Sequence, residues 1–332
     1  MLSADGQIYQ RNLDEPTLFT TNEHTFTQVA VGKDHCAMLT DKGRVMTMGS
    51  IDHGKLGHEP QEKVKQTNMA RHERKARDVH SNAKIGFVHG ELSEQKVVQV
   101  SCGFQHSAAL TDKGEIYTWG HGKVGALGHG SNDDKVIPTK VSGLSNIVKI
   151  QCGSEYTMAL DKDGQLYVWG SNSYGQLGIT GRKTKVNAPE KVFLQKANGK
   201  VVDFHCGEEH SALLDETGKV HTWGLGIDGQ LGHGNKNSSN VPQCLNDFKH
   251  IAKKVKCGAG HTGIITSDGD LYLMGRGRDG QLGRGEMLES VATERSVPTL
   301  VDYFPQHGLQ VDDIALGSNH TLAMTSPRSK KK

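Results

Sequence analysis

Histidine has the widest chemical range of any side chain near neutral pH: base, metal ligand or hydrogen-bond partner. In this chain it stands three residues after a glycine at five places, His35, His106, His210, His261 and His320, and Tyr156 takes the same place once. The glycines are Gly32, Gly103, Gly153, Gly207, Gly258 and Gly317, separated by 71, 50, 54, 51 and 59 residues. Catalytic bases or metal ligands are one reading of such a set. The plainer reading is that one imidazole per repeat hydrogen-bonds a neighbouring backbone turn. The period favours it, because a group present in every unit of a repeat belongs to the frame.

Other reactive patterns are missing. There is no G-x-x-x-x-G-K-[ST] phosphate loop. "GHGKVGALGHG" and "GRGRDGQLGRG" are glycine-rich and follow a strand, but they lead to no helix whose N-terminus could hold a phosphate. No G-x-S-x-G elbow and no H-E-x-x-H run occurs. Four of the six cysteines, Cys102, Cys152, Cys206 and Cys257, share one repeat position. Equivalent positions in successive repeats point the same way, so they make poor disulfide partners. No close C-x-x-C pair suggests zinc. They read as small buried thiols in a reducing compartment, and the expected location is cytoplasmic. The sequence predicts no covalent chemistry, no cofactor and no metal.

The elements that carry the histidines follow from one repeat. "KVVQVSC" alternates apolar and polar residues, as a strand does. "GFQ" is a tight turn, "HSAALT" a second strand, "DKG" a hairpin reversal and "EIYTWG" a third strand. A glycine loop leads to "IPTKV", a short fourth strand starting at a proline, as an edge strand can. The 41 glycines among 332 residues mark the many turns this requires. Four antiparallel strands per repeat make a propeller blade. The expected fold is therefore all-β, a β-propeller with six repeats. The end "VDDIALGSNHTLAMT" reads as strands one and two, and the start "SADGQIY" with "PTLF" as strands three and four, so the two half-blades are expected to close the ring. Residues 1–325 read as a single domain, interrupted by a basic loop at 60–84. Residues 326–332, "SPRSKKK", read as a disordered basic tail.

The pattern V-x-x-V-x-C/A-G-x-x-H-x-x-A-L-x-x-D-G-x-x-Y-x-W-G resembles the repeat of the regulator of chromosome condensation family. So do "HGKLG" at 53–57, "VGALG" at 124–128, "YGQLG" at 174–178 and "DGQLG" at 228–232 and 279–283. The resemblance covers essentially the whole chain. The family usually has seven blades, against six counted here.

Strand parity puts the Gly-x-x-His turns and the glycine loops at one end of each blade. The two residues before each histidine vary while their frame does not, which is how a scaffold presents a binding surface. Lys33, Asp34, Phe104, Gln105, Glu155, Tyr156, Glu208, Glu209, His261 and Asn319 are the expected partner-binding residues. Arg71, Arg74 and Arg77 of "QEKVKQTNMARHERKARDVHSNAK" (61–84) join them as a candidate docking arm for an acidic partner, against the alternative of a solvated loop. Balanced charge, 39 basic against 37 acidic residues, argues against nucleic acid as a partner. No apolar run is long enough to span a membrane, and "MLSADGQIYQ" carries no signal-peptide pattern.

The resemblance implies a non-catalytic scaffold that binds protein partners, as a subunit of a cytoskeletal, ciliary or trafficking assembly. The alternative it implies is a guanine-nucleotide exchange factor for a Ran-like small GTPase, with a nuclear location. An ultraviolet photoreceptor of this fold needs a tryptophan cluster at the rim. The three tryptophans here, Trp119, Trp169 and Trp223, all precede the strand-three glycine and are expected to pack between blades.

Overall fold

The computed structural model describes residues 9–11, 16–18, 24–58, 85–194, 199–283 and 294–328. The whole basic loop, with Arg71, Arg74 and Arg77, lies outside the described residues. Strands β3 (Phe26–Val31), β4 (His35–Thr40), β5 (Val45–Gly49) and β6 (Gly86–Phe87) form one four-stranded sheet in chain order. Strands β7 (Val97–Cys102), β8 (His106–Thr111), β9 (Ile116–Gly120) and β10 (Lys135–Lys140) form the second. The third is β11 (Ile147–Cys152), β12 (Tyr156–Asp161), β13 (Leu166–Ser171) and β14 (Lys185–Lys191). The fourth is β15 (Val201–Cys206), β16 (His210–Asp215), β17 (Val220–Gly224) and β18 (Ser239–Cys244). The fifth is β19 (Ala252–Cys257), β20 (His261–Thr266), β21 (Leu271–Gly275) and β22 (Arg295–Leu300). The N-terminal hairpin β1 (Tyr9–Arg11) with β2 (Pro16–Leu18), and the C-terminal hairpin β23 (Leu309–Leu316) with β24 (Thr321–Pro327), are two-stranded sheets. The all-β, four-stranded blade read from the repeat is the observed architecture.

The chain divides into two compact units, residues 1–162 with 186–189, and residues 163–185 with 190–332. In the first, the apolar core lies between neighbouring sheets: Ala37, Leu39 and Val45 meet Val97, Val100, Ala109, Tyr117 and Trp119. In the second, Ala212, Leu214 and Val220 meet Val255, Cys257, Ile264 and Met274 in the same way. Within each unit neighbouring blades thus cover one another, and each large side chain so buried contributes about 1.5–3 kcal/mol. This is why the middle strands β8, β16 and β20 are buried at every residue. Strand β24 holds the same place in its repeat but belongs to a two-stranded sheet, and Leu322 and Met324 are 59% and 62% exposed.

Two details differ from the sequence reading. The fourth strand does not begin at its proline. Pro138 lies inside β10, between Lys135 and Thr139, where the register shifts against β9. Proline has no N–H to give the ladder, so the outer strand bulges at it. The basic tail also starts later than expected: Ser326 and Pro327 belong to β24, and Arg328 pairs with Asp270. Residues 329–332 lie outside the described residues.

Four of the repeat histidines reach a side-chain hydroxyl of the next repeat. His35 Nε2 lies 3.0 Å from Ser107 Oγ, His106 Nε2 2.9 Å from Thr157 Oγ1, His210 Nε2 2.8 Å from Thr262 Oγ1 and His261 Nε2 3.0 Å from Thr321 Oγ1. Each hydroxyl belongs to the next repeat. It donates its own proton to a glycine-loop carbonyl: Ser107 to Lys55, Thr157 to Ala126, Thr262 to Gln230 and Thr321 to Gln281, at 2.8–3.0 Å. The hydroxyl therefore accepts from Nε2–H, which sets the tautomer. The indole N–H groups of Trp119 and Trp223 reach the Lys55 and Gln176 carbonyls at 2.9 Å. All three tryptophans are wholly buried, and Trp119 lies in the core between two sheets, as expected. The head glycine is required beneath the imidazole: a Cβ on Gly32 would lie 2.4 Å from both His35 Cε1 and the Gly103 carbonyl.

Burial, helped by the neighbouring charges of Lys55 at His35 and His261 at His210, lowers these histidines: His35 and His261 to about 4, His106 and His210 to about 3. All are neutral in the fold at pH 7. A histidine lowered on folding binds a proton more readily in the unfolded chain, so stability is full above about pH 6.5 and falls as pH drops towards the folded value. We predict a loss of up to about 1.4 kcal/mol per pH unit for each such histidine between pH 6.5 and 4, read as a falling Tm. His210→Asn should flatten that slope. Thr262→Val removes the hydroxyl that bridges the His210 N–H and the Gln230 carbonyl. It should cost about 1–3 kcal/mol in a urea titration.

Candidate partner-binding face

In four of the sheets the histidine of the second strand stands opposite the last glycine of the third: His35 opposite Gly49, His106 opposite Gly120, His210 opposite Gly224, His261 opposite Gly275. The Gly-x-x-His turn and the glycine loop therefore share one end of the blade, as parity required. The Trp-Gly glycine permits this close approach. Gly120 has φ of 104°, and a Cβ there would lie 2.6 Å from the Gln105 carbonyl.

In the first unit the turns are laced to one another. Each is closed within itself, Gly103 N–H donating to the His106 carbonyl at 2.9 Å. Lys33 N–H donates to the Phe104 carbonyl at 3.3 Å, and Phe104 N–H to the Ser154 carbonyl at 2.9 Å. The backbone is thus fixed while the tips stay outside. Lys33, Asp34, Phe104 and Glu155 are exposed, and Gln105 is half-buried. In the second unit Ala259 N–H donates to the Gly317 carbonyl at 3.2 Å. There Asn319 is exposed and Glu208 and Glu209 are half-buried.

Three of the expected residues have another place. Tyr156 and His261 are wholly buried, so neither offers a side chain to a partner. Tyr156 fills the imidazole position, where a Cβ on Gly153 would meet its ring at 1.9 Å. Asp34 is exposed but engaged. Its Oδ1 lies 2.7 Å from Nζ of Lys55, whose side chain is fully buried. Lys55 stands where three other repeats have glutamine and one has Ala126, so its ammonium needs a counter-charge. Arg276 and Asp228 make a comparable pair in the second unit, at 2.9 Å from Nε and 2.6 Å from Nη2.

The hydroxyl residues Ser107, Thr157, Ser211, Thr262 and Thr321 were missed by sequence reasoning. The signal was present: each directly follows the Gly-x-x-His histidine or Tyr156. All six cysteines are free thiols. Burial pushes Cys36 up to about 11 and Cys152 up to about 12, so neither is a ready nucleophile at neutral pH. Among the described residues no helix is long and apolar enough to cross a membrane.

Residues 3–330 match the RCC1-like domain. The human E3 ubiquitin-protein ligase HERC2 is 32% identical over 337 residues, covering 98% of this chain and 5% of that protein. The human RCC1-like G exchanging factor-like protein is 32% identical over 330 residues, covering 94% of this chain and 63% of that protein. The chain thus spans less than two thirds of either relative. The crystal structure of human WBSCR16 superposes with a TM-score of 0.77 at 28% identity, covering 94% of this chain and 75% of that one. A match over nearly every residue, with the repeat frame already traced in the sheets, places the chain in the RCC1-like domain family, whose four-stranded sheets are the blades of a β-propeller.

Proposed function

We propose that the chain is a non-catalytic protein-interaction module, acting as a subunit of a larger assembly and binding through the face built from the Gly-x-x-His turns. The observation that carries this reading is the lacing of three turns, which holds Lys33, Phe104 and Glu155 side by side on a fixed backbone. A cation, an exposed aromatic ring and an anion on a rigid platform suit a protein surface. Little ordering entropy is lost when such a face binds. Aromatic anchors commonly carry much of the binding energy. Arg71, Arg74 and Arg77 extend the same reading as a basic arm, and closure of the propeller by the two terminal hairpins belongs to it as well.

A second reading is nucleotide exchange on a Ran-like small GTPase, favoured by the similarity to the RCC1-like G exchanging factor-like protein across 94% of this chain. It needs no covalent chemistry, only tighter binding of the nucleotide-free GTPase.

One pair of measurements tests both. Partners recovered by the wild-type chain should be depleted at least about tenfold by Lys33→Glu, Phe104→Asp and Glu155→Lys combined. Equal recovery would remove this face from the interaction. Release of fluorescent GDP from a Ran-like GTPase, followed with the chain at about 10 times the GTPase concentration in the micromolar range typical of such encounters, decides the second reading. No acceleration leaves the adaptor alone; acceleration abolished by Phe104→Asp assigns exchange to the same face.

A further inference from the structure

His53, His121 and Asp134 come together in the first unit from separate pieces of chain. His53 lies in the short turn Asp52–Gly54 after β5, His121 directly follows β9, and Asp134 directly precedes β10. His53 Nδ1 is 2.8 Å from Asp134 Oδ2, and His121 Nε2 is 4.0 Å from Asp134 Oδ1. The imidazole centroids are 3.9 Å apart. One ligand atom from each residue can be chosen so that all lie within 4.8 Å of one another. We propose that these three residues form a binding site for one divalent transition-metal ion of the zinc class, clipping the first sheet to the second.

The donor set fits that class. Two imidazole nitrogens and one carboxylate oxygen suit a borderline ion such as Zn²⁺, and three protein ligands leave one position for water. Metal–ligand bonds of about 2.0–2.1 Å put the ligand atoms of a tetrahedral shell roughly 3.3 Å apart. The observed ligand-atom separations, all within 4.8 Å, are close to that spacing. The site is half-exposed, with side chains of His53, His121 and Asp134 accessible at 37%, 21% and 37%. An ion has a way in.

The anchoring is that of a built site. Asp134 Oδ1 accepts the Gly122 N–H at 2.8 Å, and His121 N–H donates to the Gln105 carbonyl at 2.9 Å. The first contact orients the Asp134 carboxylate before any ion arrives, and the second fixes the backbone that carries His121.

The repeat itself shows that this trio is not required by the frame. In the second unit the matching places hold Asp228, Arg276 and Glu294. There Arg276 Nη2 lies 2.6 Å from Asp228, while Glu294 pairs with Lys236 and Arg278. One junction between sheets is held by the side-chain cation Arg276 facing the Asp228 carboxylate. At the other, His121 stands in the cation's place and His53 in that of Asp228, beside the Asp134 carboxylate. An imported cation supplies there what Arg276 supplies in the second unit.

The test uses the full chain, free of any affinity tag and stripped with a chelator. Zinc titrated by calorimetry should bind one ion per chain, and cobalt should give the visible absorption of a tetrahedral nitrogen–oxygen site. His53→Gln, His121→Gln and Asp134→Asn should each weaken binding by at least about tenfold, with circular dichroism confirming the fold. His307→Gln, an exposed histidine elsewhere, should leave it unchanged. Affinity should drop in acid, because imidazole binds a metal only as the neutral ring. If His121→Gln does not fold, His53→Gln in the exposed turn carries the comparison. No binding at a zinc concentration of about 100 μM, well above that of structural sites, would overturn the proposal. So would affinity unchanged in His53→Gln, or a thiolate-to-cobalt charge-transfer band, which would place the ion on the cysteines.

Discussion

Each blade is tied to the next through one loop carbonyl. The Lys55 carbonyl receives both the Ser107 hydroxyl and the Trp119 indole N–H, and the same hydroxyl accepts from His35. Four polar groups are satisfied at once in a place closed to water, where any one left over would cost about 1–3 kcal/mol. The arrangement recurs as His210, Thr262 and Gln230 in the second unit. Hydrophobic burial between sheets supplies the larger share of the energy. It is non-directional, however, and would tolerate sliding. The hydrogen-bonded junction fixes how one sheet sits on its neighbour within each unit.

That junction also explains what is left free for function. The imidazole lies over its head glycine, so the turn backbone is fixed from beneath. The residues between them need only leave the turn geometry undisturbed. Phe104 and Glu155 point outward for this reason, whereas Tyr156, at the imidazole position, is wholly buried. Lys55 shows how a change in the frame spreads outward. A lysine in the glutamine place draws Asp34 from the variable tip as its counter-charge. A residue expected to meet a partner instead neutralises a buried ammonium.

Much of this was legible in the sequence, for a definite reason. Strand alternation, glycine turns and the Trp-Gly ends are local properties, and six repeats state them over and over. The blade, its strand order and the shared end of turns and loops follow from those properties and from parity. The bulge at Pro138 did not, because a proline marks an outer strand equally well at its start or inside it. Nor did the partner of the histidines. Ser107 follows His106 in sequence, but it serves His35 of the preceding repeat.

The sequence by itself determined the repeat, the all-β blade and which residues are constant frame and which are variable tip. These depend on periodicity, and periodicity is a one-dimensional property. Only the tertiary structure decided which frame groups meet across sheets. His35 with Ser107, Asp34 with Lys55, and His53 with His121 and Asp134 are each joined from different stretches of chain. Their contacts are set by how one pleated sheet stacks on the next, a distance of a few ångströms in space that no spacing along the chain records.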